Sequence, residues 1–212
     1  MKQGSKKEIV NRYQERISKF GHTFESLGSG SKKHQAIRFN ILRQSGIKTG
    51  DSILDVGCGL GDFYDFLLTK GINVNYHGID LVPEFIEKAK EKYPQSKFQV
   101  RDILKNPFDE DSFDYVVCSQ VLNFKLTKED NIQHAQNMLK KMNIFAKESV
   151  ACDFLTSYVD YKEDHLFYYR PEEIFSFCKS LSKKVDLIHS YPLFEFCIFL
   201  YNDFEGWKNR YD

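Results

Sequence analysis

Ser52-Ile53-Leu54-Asp55-Val56-Gly57-Cys58-Gly59-Leu60-Gly61 is the stretch from which the rest of the chain can be placed. Ile53, Leu54 and Val56 make the short apolar run of a strand covered on both faces, as the central strands of parallel sheets are. Gly57, Gly59 and Gly61 then let the backbone turn tightly, and let a ligand approach closer than any Cβ would allow. The run Asp62-Phe63-Tyr64-Asp65-Phe66-Leu67-Leu68 that follows is amphipathic, so the turn opens a helix. A strand, a glycine turn and a helix together suit a nucleoside ligand.

Glycine turns also follow strands for purely structural reasons, so spacing to other residues has to decide. Tyr76-His77-Gly78-Ile79-Asp80 reads as a second strand ending in an acid 25 residues beyond Asp55. Carboxylates at the ends of neighbouring parallel strands can accept hydrogen bonds from both hydroxyls of a ribose. A third unit, Phe98-Gln99-Val100-Arg101-Asp102-Ile103, ends in another acid, and a fourth strand reads Phe113-Asp114-Tyr115-Val116-Val117-Cys118-Ser119.

With these four units in order, the chain resembles the class I S-adenosylmethionine-dependent methyltransferases from about residue 34 to residue 155. Asp55 to Gly61 looks like their first motif, Gly78-Ile79-Asp80 like the acid ending the second strand, and Arg101-Asp102-Ile103 like the adenine-side motif. The resemblance implies a Rossmann-like α/β fold: a seven-stranded, mostly parallel sheet with a C-terminal antiparallel hairpin and helices on both faces. It implies S-adenosyl-L-methionine as cofactor and S-adenosyl-L-homocysteine as product. It places Asp55, Gly57, Cys58, Gly59, Asp80, Leu81, Asp102, Ile103, Ser119 and Gln120 around the cofactor, with Leu81 and Val82 beside the adenine and Asp102 on its amino group. A nicotinamide dinucleotide enzyme is the rival. Its G-x-G-x-x-G pattern is not met, and Asp55 would repel a pyrophosphate while suiting a cationic amino-acid ligand.

The chain has 212 residues, 42% of them apolar, the size of one domain with a substantial core (1–212). Thirty basic and thirty acidic residues cancel, which argues against a nucleic-acid partner. With a polar N-terminal region and no apolar run near about 18 residues, a membrane span is not expected. Five scattered cysteines fit reduced thiols in a cytoplasmic protein better than a disulfide framework or a zinc site, and no metal is expected. Oligomeric state is not legible.

Residues 1–33 read as an N-terminal helix and loop that cover the cofactor. Ile9, Val10, Tyr13, Ile17 and Phe20 repeat at helical period, and Gly21 to Ser31 is a glycine- and serine-rich loop. A second helix reads Lys33 to Gln44 and ends at Gly46. The stretch from Phe20 to Phe39 also looks like the lead-in of small-molecule-type methyltransferases, with Ser29 where a tryptophan is expected. On that likeness Tyr13 caps the cofactor and Arg38 grips its carboxylate as a bidentate fork; a core tyrosine and a solvent arginine are the alternatives.

Further helices read Pro83 to Tyr93, Lys128 to Met142 and Pro171 to Lys179, with strands at 149–154, Lys184 to His189 and Glu195 to Tyr201. After the fourth strand there is no Asn/Asp-Pro-Pro-aromatic tetrad, no carboxylate set for a catechol-type metal and no Pro-Cys pair. Residues 155–170, dense in aromatic and titratable groups, read as an acceptor-side insertion. Tyr158, Tyr161, His165, Tyr168, Tyr169 and Arg170 are the candidates there, or else tyrosines packing a loop. Among them His165 is the candidate base for a hydroxyl acceptor, Arg170 the grip for a carboxylate, and Tyr158 the third catalytic candidate. The acceptor is expected to be a small molecule with an oxygen or nitrogen nucleophile, attacked in line. RNA or protein as acceptor, and a non-catalytic binder of the donor, remain the alternatives. The tail Asn202 to Asp212 is uninformative.

Overall fold

In the computed structural model, which describes residues 1–202, the apolar runs become seven strands: β1 (Ser52–Val56), β2 (Asn75–Asp80), β3 (Lys97–Val100), β4 (Phe113–Cys118), β5 (Ala146–Leu155), β6 (Lys184–Ile188) and β7 (Glu195–Tyr201). They form one sheet in the order β3-β2-β1-β4-β5-β7-β6. The first five are parallel; β7 runs antiparallel to both β5 and β6.

Successive strand side chains point to opposite faces, and β1 uses both. Leu54 and Val56 pack with Met138, Leu139 and Met142 of α6 (Asn131–Phe145) and Ile174 and Cys178 of α7 (Pro171–Leu181). Ile53 joins the opposite core, with Phe39 and Leu42 of α3 (Lys32–Leu42), Phe63 and Leu67 of α4 (Asp62–Thr69), and Ile86 and Ala89 of α5 (Pro83–Lys92). Helices therefore cover both faces, and burial on both sides is why β1 carries an unbroken apolar start. All five cysteines are buried free thiols. Two more helices, α1 (Gln3–Phe20) and the single turn α2 (Phe24–Leu27), precede α3.

Several boundaries move for local reasons. The third strand stops at Val100; Asp102 and Ile103 lie in the turn beyond it, where Asp102 Oδ1 accepts the Leu104 N–H at 3.0 Å. The sixth helix begins at Asn131 because Asp130 caps it, accepting the Gln133 N–H at 2.7 Å, and it runs to Phe145, where β5 starts at once. The loop expected from Gly21 to Ser31 contains α2, and the helix expected to reach Gln44 tightens into a 3-10 turn over Arg43–Ser45 before Gly46. Within the tail, residues 203–212 lie outside the described residues. Among the described residues no helix is long and apolar enough to cross a membrane.

The strand order reverses between β1 and β4, and open parallel sheets receive ligands in the crevice beyond the carboxyl ends of their strands at such a point.

Candidate active site

The glycine turn sits at that crevice. Gly57, Gly59 and Gly61 all have positive φ (78, 53 and 80°), a backbone region costly to other residues. The Gly57 and Cys58 N–H groups both donate to the Ile79 carbonyl, at 2.7 and 3.0 Å, which locks the end of β1 to the end of β2. Asp80 completes the lock: Oδ2 accepts the Gly59 N–H at 3.0 Å and Oδ1 the Val82 N–H at 2.9 Å. Space is as restrictive as conformation. A Cβ on Gly57 would stand 2.1 Å from Val121 Cγ2, and one on Gly59 2.7 Å from Leu27 Cδ2.

Around the turn lies a cavity of about 1120 Å³ including its mouth. All twelve residues expected on the donor side line it: Tyr13, Arg38, Asp55, Gly57, Cys58, Gly59, Asp80, Leu81, Asp102, Ile103, Ser119 and Gln120. Val82, expected beside Leu81, turns inward and packs with Leu60 and Phe85, while Phe85 faces the cavity.

The roof is α1, which contributes Ile9 and Tyr13. It is strapped at two points along its length. Glu8 Oε2 accepts the Thr127 N–H and hydroxyl at 3.3 and 3.2 Å, and Gln14 Nε2 donates to Glu84 on α5 at 2.7 Å. Tyr13 meets Phe85 edge to face at 5.7 Å. Arg16 donates to the Ser26 and Glu25 carbonyls, at 2.9 and 2.6 Å, fixing α2 so that Leu27 rests on the glycine turn.

The walls are acidic. Burial pushes Asp55 up to about 7 against a hydrogen bond from the Tyr76 hydroxyl, and nearby Asp80 raises it further. Burial also raises Asp80, while its backbone hydrogen bonds pull the other way. Asp102 Oδ2 is buried in the wall with no hydrogen-bond partner, the Met1 nitrogen standing 4.0 Å from it. A buried carboxylate oxygen left unbonded is costly, so this atom is available to a donor from a ligand. Crowded carboxylates favour a ligand that brings positive charge.

Arg38 is placed differently from the sequence expectation. It lines the cavity, but its fork is taken by Glu195 at the start of β7: Nε lies 3.0 and 2.8 Å from the two carboxylate oxygens and Nη2 2.8 Å from Oε1. Nη1 donates to the Ser29 carbonyl at 2.8 Å. Both partners are about 5% exposed, and a guanidinium buried there needs a carboxylate from the protein itself.

The expected acceptor residues are not brought to the cavity. His165 is 45% exposed and lies 3.5 Å from Glu163; Arg170 is 62% exposed and pairs with Glu172 and Glu173. Tyr158 is exposed and donates its hydroxyl to Glu172 at 2.5 Å. Tyr161 is exposed, Tyr168 accepts the Glu163 N–H, and Tyr169 is fully buried, donating to the Leu122 carbonyl. Tyr158 and Arg170 are thus engaged by acids at the start of α7, His165 by Glu163, and Tyr169 by the core. The residues that sequence reasoning passed over are Leu27, Val121, Asp153 and Glu195. The two acids carried one signal, a carboxylate within or opening an otherwise apolar strand.

A doubly wound sheet with this order, a glycine turn at the switch point and an acid ending β2 define a Rossmann-like nucleoside-binding protein. Residues 53–143 match the methyltransferase-domain family. A Mycobacterium tuberculosis protein named as a methyltransferase is 34% identical over 152 residues, which cover 69% of this chain and 90% of that protein. A Staphylococcus aureus demethylmenaquinone methyltransferase is 32% identical over 115 residues, covering 52% of this chain and 47% of the relative, so the match spans about half of that enzyme. Among solved structures, magnesium protoporphyrin IX methyltransferase from Synechocystis PCC 6803 superposes with a TM-score of 0.66 at 13% identity, over 94% of this chain and 100% of the other. The chain belongs to the class I S-adenosylmethionine-dependent methyltransferases, enzymes whose methyl donor is S-adenosyl-L-methionine.

Proposed function

We propose that this methyltransferase acts on a small-molecule acceptor, through an oxygen or nitrogen nucleophile held within the roofed cavity beside the donor. The observation that carries this is the enclosure. Ile9, Tyr13 and Leu27 close the cavity from above, and a concave, largely apolar site of this kind buries most of a small ligand's surface. Two of the names above point the same way, since those proteins are named for a quinone precursor and a porphyrin.

On the donor side, Asp80 accepts from the ribose hydroxyls, Asp102 Oδ2, which has no hydrogen-bond partner, accepts from the adenine amino group with Ile103 and Leu81 against the ring, and Asp55 faces the amino-acid ammonium. Gly57, Cys58 and Gly59 let the ligand approach the backbone, Ser119 and Gln120 close the far wall, and Tyr13 caps the site. Residues 1–33 form the cover. Arg38 acts through Glu195 and Ser29, holding the cover to the sheet. The donor supplies an already activated methyl group. The protein's task is then to align the nucleophile and exclude water, which the apolar roof does.

Titration calorimetry with S-adenosyl-L-methionine and S-adenosyl-L-homocysteine tests the donor side. Asp80→Ala is expected to weaken binding by about 1.5–3 kcal/mol, the range for hydrogen bonds involving a charged partner, and wild-type affinity in that variant overturns the ribose assignment. Methyl transfer to a small-molecule panel but not to bulk RNA or protein tests the acceptor side. The reverse result overturns it.

A further inference from the structure

The chain leaves β4 at Cys118 and crosses the cavity wall through Ser119, Gln120 and Val121. Gln120 has φ +62°, a left-handed conformation that among the described residues only one other non-glycine residue, Asp111, adopts. An unbranched polar side chain takes that conformation only when its surroundings impose it. The imposing group is Asp153. It lies one strand over on β5, just past the Cys118–Cys152 pairing, and is 2% exposed. Its Oδ1 accepts the Gln120 N–H at 2.7 Å, with the Gln120 amide nitrogen at 3.4 Å, and its Oδ2 accepts the Ser119 hydroxyl.

Val121 is thereby turned onto Gly57, so close that no Cβ could stand there. A single carboxylate that does not line the cavity thus fixes three consecutive residues that do. Burial and then the neighbouring Glu195 push its carboxyl up to about 6, with Arg38 pulling the other way.

We propose that Asp153 is a positioning residue for the methyl donor: by accepting from Ser119 and Gln120 it holds the left-handed turn that sets the wall opposite the glycine turn. The inference rests on the donor assignment above. The probe is S-adenosyl-L-methionine itself, titrated into the full chain, with thermal unfolding followed in parallel.

Asp153→Leu, near-isosteric but without an acceptor, is expected to raise Kd by about tenfold or more. Asp153→Asn keeps an oxygen for the Gln120 N–H while its amide donates to the Ser119 hydroxyl, which can rotate to accept, so it is expected to stay within about threefold of wild type. A folded Asp153→Leu protein with wild-type affinity overturns the inference and leaves the donor assignment intact, whereas a wild-type protein that binds no S-adenosyl-L-methionine overturns the donor assignment. Should Asp153→Leu not fold, Gln120→Gly and Gln120→Val decide. Both lose the amide, but only glycine takes positive φ freely, so the glycine variant is expected to bind about tenfold more tightly. Equal affinities overturn the inference.

Discussion

On the donor assignment proposed above, Asp55 couples donor binding to pH. It is 4% exposed and bonded by the Tyr76 hydroxyl, and burial holds its carboxyl near 7 when no ligand is bound. A cationic amino-acid group beside it stabilises only the ionised form. Observed affinity then scales with the ionised fraction: about one-eleventh at pH 6, half at pH 7 and about ten-elevenths at pH 8. Kd for S-adenosyl-L-methionine is therefore expected to fall about tenfold from pH 6 to pH 8, with most of the change below pH 7.5. About half a proton is released per donor bound at pH 7, read from calorimetry in buffers of different ionisation enthalpy. Asp80 and Asp153 also have raised pKa values, so the diagnostic is Asp55→Asn, which removes this contribution and leaves theirs. The folding sign follows from the same shift. A carboxyl raised from 3.8 to about 7 contributes stability that is complete below the unfolded value, is lost progressively as pH rises to about 7, and is absent above. That loss is about 4 kcal/mol at 1.36 kcal/mol per pH unit. Asp55→Asn should accordingly melt higher than wild type at pH 8. A wild-type Kd flat between pH 6 and pH 8, or an identical slope in Asp55→Asn, refutes the reasoning.

Two glycines separate strain from close approach. Gly71 has φ +70° and open space where a Cβ would go, so Gly71→Ala should cost about 1–2 kcal/mol, whereas Gly57→Ala adds the collision with Val121 and should cost a further 1–3 kcal/mol or so. Equal urea midpoints for the two variants would count against the packing account. Arg38→Met leaves Glu195 charged and buried, an expected loss of about 3–5 kcal/mol; adding Glu195→Leu should recover much of it, and a double variant no more stable than the single would show that the pair is not the cause. His165→Ala and Arg170→Ala, at exposed positions away from the cavity, should change stability by no more than about 0.5 kcal/mol and leave donor affinity intact; a weakened titration curve would return that segment to the site.

Much of the cavity lining was legible in the linear chain because a parallel sheet has a simple rule. Successive strands deliver their carboxyl ends to one edge, so the residue ending each apolar run lies near the ends of its neighbours. Asp55, Asp80 and Asp102 could be placed together from spacing alone, and the glycines between them from the turn they make possible. The partner of Arg38 could not be placed this way. Glu195 is 157 residues away, and which carboxylate claims a buried guanidinium depends on how the lead-in helix and the last strand come together. The left-handed turn at Gln120 escaped notice for the same reason, since nothing local to Ser119-Gln120-Val121 asks for positive φ; the demand comes from Asp153 on the next strand. The segment 155–170 shows the limit from the other side. Its tyrosines, histidine and arginine have the composition of a binding site, but composition does not set direction, and the folded chain buries Tyr169 in the core and spends Tyr158, His165 and Arg170 on neighbouring acids. Sequence alone determined the strands, the turn and the ligand class they suit, because those depend on short-range periodicity and backbone freedom. Tertiary structure alone decided which buried charges meet, because that depends on desolvated groups from distant segments finding one another.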